Sequence, residues 1–143
     1  MARILCLHGL GGTGRTMQPV ADALTALGHT THAPTLPGHG TTADDLIEAT
    51  WAQWLQAAEE WVRDWQIDVV VGQSMGGGLA LALAARRLVA KVVAINAPAP
   101  DPDAVEGLEW RLSRGHEWVD GPPLAEGEEV GGADRGKAII ILN

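Results

Sequence analysis

The chain has 143 residues, 46% of them hydrophobic, and sets Lys+Arg 10 against Asp+Glu 18 for a formal net charge of −8. That length suits one domain that folds around its own core without disulfide or metal staples, and the composition excludes a disordered chain. The acidic balance repels nucleic acid and anionic membrane surfaces alike.

Cys6 is the lone cysteine, which rules out an internal disulfide. Near the N-terminus only Ile4–Leu7 is continuously apolar, too short for a signal peptide or a membrane span. These features predict a cytoplasmic protein with no nucleic-acid partner and no stable membrane insertion; they leave the oligomeric state open.

In chain order, Arg3–Leu7 reads as a buried strand that stops at the glycine cluster Gly9, Gly11, Gly12 and Gly14. From about Thr16 to Leu27 the residues Val20, Ala23, Leu24 and Leu27 recur at helical spacing, with Pro19 in the first turn and Gly28 at the stop. His29–Ala33 is a second strand, followed by a loop containing Pro34, Pro37, Gly38 and Gly40. Trp51 to Trp65 is a helix whose apolar stripe is Trp51, Trp54, Leu55, Ala58, Trp61, Val62 and Trp65, and Thr50 with Gln53 has capping-box spacing. Tryptophans at this spacing are a packing face in preference to a ligand-stacking surface.

Asp68–Val71 is a third strand, its uninterrupted valines implying that both faces are covered. Met75 to Val89 is apolar nearly all round and predicts a deeply buried helix; Lys91–Ile95 is a fourth strand. This alternation implies a three-layer α/β/α fold with a mainly parallel sheet. After Pro98 the chain turns acid-rich with weak periodicity, and only Ala138–Leu142 looks like a strand again.

Gly72-x-Ser74-x-Gly76 between a valine strand and an apolar helix carries the strongest chemical signal. A nucleophilic serine must project from a sharp strand-to-helix turn, and small residues two before and two after let strand and helix approach. The Met75 amide at the helix start can donate to a developing oxyanion. The alternative is an ordinary helix-capping serine. His8-Gly9-Leu10-Gly11-Gly12 can supply the second donor, the Leu10 amide, if the first and third strands are neighbours. His8 is expected to order this loop through a hydrogen bond and not to act as the base.

Gly9-x-Gly11-x-x-Gly14 also matches a dinucleotide fingerprint, but no acid follows the second strand to hold a ribose. Gly9 to Thr16 nearly spells a phosphate loop, with Arg15 where lysine belongs and no strand ending in a magnesium-binding Asp. Nucleotide binding is therefore the remote alternative. No metal is expected, because the histidines lack helical i,i+4 spacing and Cys6 stands alone.

These elements resemble the α/β-hydrolase family, and within it small bacterial carboxylesterases and monoacylglycerol lipases. The resemblance rests on His8-Gly9-Leu10-Gly11-Gly12, Leu36-Pro37-Gly38-His39-Gly40-Thr41-Thr42, Trp51 with Trp54-Leu55, and Gly72-Gln73-Ser74-Met75-Gly76-Gly77. It implies a hydrolase core at residues 1–98, the start of a cap at 99–130 and an atypical tail at 131–143. It also implies a small acyl-ester substrate, no cofactor, Ser74 as nucleophile and Leu10 and Met75 as oxyanion donors. Gly9, Gly11 and His39 would border the substrate.

The resemblance further implies an acid and then a histidine after additional core strands. No Asp or His follows Ile139–Leu142, so the sequence reads as the N-terminal portion of a hydrolase, its C-terminal strands missing, with weak turnover by itself. Asp103 and His116 are the in-order candidates for a compact triad with Ser74. A non-catalytic or partner-completed module is the alternative from another class.

Overall fold

The computed structural model describes residues 1–97 and two short strands further on. In the first unit, Met1–Ala99, β1 spans Arg3–Leu7, α1 Gln18–Ala26, β2 Thr30–His32, α2 Ala43–Glu48, α3 Trp51–Asp64, β3 Val69–Gln73, α4 Met75–Ala85 and β4 Lys91–Ile95; a 3₁₀ turn, Gly14–Met17, precedes α1. The four strands form one parallel sheet in the order β2-β1-β3-β4. The second unit, Pro100–Asn143, contributes β5 (Trp118–Asp120) and β6 (Lys137–Ile139), paired antiparallel with Trp118 opposite Ile139. Apart from these two strands, the expected cap and tail, Asp103 and His116 among them, lie outside the described residues.

Alternation along the strands separates the layers. Leu5, Leu7 and Val70 join Trp54, Leu55, Ala58, Leu79 and Leu83 on the face covered by α3 and α4. Ile4, Cys6 and Val71 face the other way and pack on Met17 and Ala21 at the start of the chain's first helical segment. An apolar run without polar alternation therefore meant a strand covered on both faces, as β1 and β3 are.

The tryptophan stripe of α3 is a packing face: Trp54, Leu55, Ala58 and Val62 are buried, and Trp51, Trp61 and Trp65 border the same cluster. Thr50 and Gln53 close the capping box with bonds of 3.2 and 3.0 Å. The helix α2 carries no apolar stripe and buries none of its residues, which is why periodicity does not detect it; Thr42 caps it by accepting the Asp45 amide at 3.2 Å.

Three helices end alike. At the C-terminus of α4, Arg87 N–H donates to Ala84 O at 2.9 Å and Leu88 N–H to Leu83 O at 3.0 Å, with Arg87 at φ +59°. The same pattern closes α3 at Gln66 and α1 at Gly28. Because Arg87 takes the left-handed position that glycine ordinarily occupies, α4 stops at Ala85, short of the predicted Val89, with no signal in the sequence. The expected all-round burial of α4 also fails: Leu79, Ala80 and Leu83 are buried on the sheet, whereas Leu81 is 49% exposed.

At the β3–α4 corner, backbones touch. A methyl on Gly72 would collide with the Gly76 carbonyl, and one on Gly76 would collide with Leu7 O and sit 2.6 Å from His8 O. The obstructing atoms are backbone and cannot step aside. Gly76→Ala is expected to cost about 3 kcal/mol or more, the upper range for forced overpacking, read as a fall in the urea midpoint against the wild-type chain.

Candidate active site

The strand order reverses between β1 and β3, so the chain leaves their C-terminal ends in opposite directions, the place where open parallel sheets form a binding crevice. The register places Leu7 beside Gly72, which brings the loop after β1 against the corner after β3. A Cβ on Gly9 would lie 3.3 Å from Ser74 Cβ and 3.9 Å from Ser74 Oγ. The two glycine motifs, about 65 residues apart in the chain, thus meet (the separation of the Arg3–Asp68 contact beneath them).

Ser74 adopts φ 52°, ψ −118°, a conformation that costs a non-glycine residue about 1–3 kcal/mol and persists only where its surroundings impose it. Ser74 N–H donates to Ile95 O at 2.8 Å on β4, and Ser74 O accepts from Gly77 and Gly78 N–H at 2.9 and 3.1 Å. With its backbone held at both ends, the residue is exposed and its hydroxyl makes no capping bond to α4. It is not a capping serine.

Met75 is the first residue of α4, so its N–H has no carbonyl one turn back to bond within the helix, and the helix dipole adds positive potential there. Across the crevice, Gly9 O accepts from Gly12 N–H at 3.1 Å, closing a four-residue turn with Gly11 at φ +76° and Leu10 at its exposed tip. The loop then enters the 3₁₀ turn before α1 begins at Gln18, so it does not deliver an anion to the α1 N-terminus as a dinucleotide loop would.

His8 is fully buried, and both ring nitrogens are occupied: Nε2 accepts the Leu36 N–H at 2.9 Å and Nδ1 lies 2.8 Å from Gly9 O. Such a ring has no free nitrogen with which to take a proton from Ser74. His39 lies on the loop after β2, 6% exposed, its ring edge-on to His8 at 4.8 Å and 5.5 Å from the Trp54 ring. Its Nδ1 is 3.1 Å from Pro37 O, and its buried Nε2 has no hydrogen-bond partner. Trp54 Nε1 also donates to Pro37 O, at 2.8 Å. The sequence shows Trp54 in a packing stripe and Leu36 in a loop motif, but not the bonds they make, because each joins residues far apart in the chain, 17 positions for Trp54 to Pro37 and 28 for Leu36 to His8. His29 and His32 serve elsewhere, His29 accepting the Ala2 amide at 3.1 Å and His32 stacking on Trp65 at 4.4 Å.

An open cleft of about 670 Å³ lies between Pro37–His39 and the acidic and amide side chains Asp45, Glu48, Gln53 and Glu60. Ser74, Gly9, Leu10 and Met75 are not among its walls, so it is separate from the serine crevice; His39 borders it. No group of three or more His, Cys, Asp or Glu side chains among the described residues is placed to hold a metal ion. Among those residues no helix is long and apolar enough to cross a membrane.

The profile of the Alpha/beta hydrolase family matches residues 4–137. The chain belongs to that family. A thermostable monoacylglycerol lipase of Bacillus sp. (strain H-257) is 36% identical over 110 residues, which are 73% of this chain and 44% of the lipase. The magnesium-chelatase 30 kDa subunit of Rhodobacter capsulatus is 32% identical over 109 residues, 73% of this chain and 38% of that protein. A solved structure reported for the metagenome-derived lipolytic enzymes LipS and LipT is similar with a TM-score of 0.75 at 26% identity, covering 96% of this chain and 59% of that one. This hydrolase-family chain thus spans less than half the length of the two curated relatives.

Burial holds the His8 and His39 imidazoles below their ordinary value near 6.5, against the opposing pull of their backbone hydrogen bonds. Each is therefore harder to protonate in the fold than in the unfolded chain, which binds more protons once the pH drops below about 6.5. Their contribution to stability is complete above that pH and is lost as the pH falls toward the depressed native values. Thermal melts at pH 7.5 and 5.5 are expected to show a lower midpoint at the acid end, and His39→Gln to make the fall shallower.

Proposed function

We propose that this chain carries the nucleophile and oxyanion hole of a carboxylic-ester hydrolase acting on short acyl or monoacylglycerol esters. The observation that carries the reading is Ser74 itself: an exposed hydroxyl on a residue at φ 52°, at a strand-to-helix corner facing the Gly9 turn. Strain of this kind in an uncapped serine puts the hydroxyl where an acyl carbonyl can reach it, with the Met75 amide at the helix start beside it. The likeness to a monoacylglycerol lipase and to lipolytic enzymes supports an ester as substrate.

In the proposed reaction Ser74 Oγ attacks the acyl carbonyl carbon while its proton passes to a general base. The carbonyl oxygen becomes an oxyanion held by the Leu10 and Met75 N–H groups, where one well-aimed donor contributes about 10²–10³ in rate. Collapse expels the alcohol, which takes up the proton, and water then releases the acyl group from Ser74. Gly9 and Gly11 shape the oxyanion side of the crevice, and His39 backs the neighbouring loop. Because His8 is doubly bonded, the base is sought after Ser74, where His116 is the one histidine of this sequence, with Asp103 before it.

The test is fluorophosphonate labelling together with p-nitrophenyl acetate hydrolysis. Labelling of the wild-type chain, abolished in Ser74→Ala with an unchanged melting midpoint, is the expected result. Labelling that survives Ser74→Ala overturns the reading, and robust p-nitrophenyl acetate turnover by the wild-type chain overturns the expectation that it lacks its own base. His116→Ala assigns the base separately: it removes hydrolysis if His116 holds that role and leaves the rate unchanged if it does not.

A further inference from the structure

Three glycines follow Met75 in α4, and contact explains only the first two. A Cβ on Gly76 would strike the Leu7 and His8 carbonyls, and one on Gly77 would lie 2.9 Å from Ala97 Cβ and 3.1 Å from Gly72 O. Gly78 is different. Among the described residues a Cβ there would meet only Trp51, with Cη2 at 3.4 Å and Cζ3 at 3.9 Å, which is ordinary van der Waals contact. Its φ is not positive. Alanine would fit this position and favour the helix over glycine, so packing alone leaves Gly78 unexplained.

The space left by the missing side chain has a definite place. Side chains on a helix lean toward its N-terminus, so a residue at 78 would lie over the turn that opens at Ser74. Gly78 N–H donates to Ser74 O at 3.1 Å, which sets the two residues one turn, about 5.4 Å, apart along α4.

Trp51 opens α3 at the same end of the sheet, because a helix that leads back into parallel β3 starts at the strands' C-terminal ends. Its neighbours Trp54 and Leu55 are buried, whereas Trp51, Met75 and Gly78 are half-buried. The notch over Gly78 therefore has helix backbone as its floor and an indole ring as its wall. What it presents to an occupant is hydrocarbon: the Cη2–Cζ3 edge of that ring, with Met75 bordering the same apolar cluster.

We propose that this notch receives the acyl chain of the ester attacked by Ser74, with Trp51 as its wall and Gly78 left bare to admit it. This rests on the ester-hydrolase reading above and names the part of the substrate that the site selects. The acyl group stays bonded to Ser74 until water releases it, so its chain is the part tethered one turn away. An acetyl group ends short of the notch, whereas a hexanoyl chain spans the turn and enters it. If Trp51 were a packing residue and nothing more, filling the notch would do no harm.

The test is a titration of Ser74→Ala protein with methyl hexanoate, followed by NMR of the six indole N–H groups. The Trp51 signal, assigned by its loss in Trp51→Leu, is expected to move most, and methyl acetate to leave it in place. Adding Gly78→Ala is expected to hold or raise the melting midpoint while weakening methyl hexanoate binding about tenfold, the loss for about two methylenes kept out of the notch. A Trp51 signal that does not move, an affinity unchanged by Gly78→Ala, or a lowered midpoint overturns the proposal. Fluorophosphonate labelling that survives Ser74→Ala defeats the Ser74 reading instead, and leaves the titration, which needs no nucleophile, intact.

Discussion

The structure depends on contact between backbones where β3 turns into α4. Helix and strand cannot come together at Gly72 and Gly76 if either bears a side chain, because the atoms in the way are main-chain carbonyls of Gly76, Leu7 and His8. That contact draws α4 down onto the end of β1 and leaves Ser74 no ordinary backbone conformation. The cost of the strained serine is offset by the sheet and helix bonds on either side of it, from Ile95 and to Gly77 and Gly78. The exposed hydroxyl is a consequence of packing before it is a feature of chemistry.

A second constraint works through polar groups. The loops after β1 and β2 have few apolar side chains to hold them, and the buried His8 and His39 rings take over that role. Each ring meets a carbonyl through Nδ1, and their edge-to-face contact joins the two loops. Neutral imidazole suits this position because it offers one donor and one acceptor on a rigid plane, whereas a charged ring would set its second N–H against the Leu36 amide. Aliphatic packing would have filled the space without fixing the direction of a peptide.

Much of this was legible in the sequence because the informative patterns are local. The uninterrupted apolar runs of β1 and β3 gave strands covered on both faces, the Thr50–Gln53 spacing gave the start of α3, and the glycines around Ser74 gave the corner. What escaped had no local signature. The α2 helix buries none of its side chains, and α4 ends on Arg87 in a left-handed conformation that the residue type does not announce. Trp54 reads as one more apolar residue in a stripe, yet its indole N–H is fixed on Pro37 O by a fold that brings residues 17 positions apart together. The strand Lys137–Ile139 was half visible, but its antiparallel partner Trp118–Asp120 lies in a stretch of weak periodicity.

The pairing of β1 with β3 has a further consequence for how the molecule comes into being. Ile4 and Val69 are neighbours in the sheet, so the segment between them must be synthesised and closed into a loop before these two strands can pair with each other. Until then the Gly9 turn and the serine corner are separate pieces on a collapsing polymer, neither able to assist the other. Any competence the crevice possesses therefore arises late and all at once, and a ribosome-bound chain that has not yet released Val69–Gln73 holds only half of it.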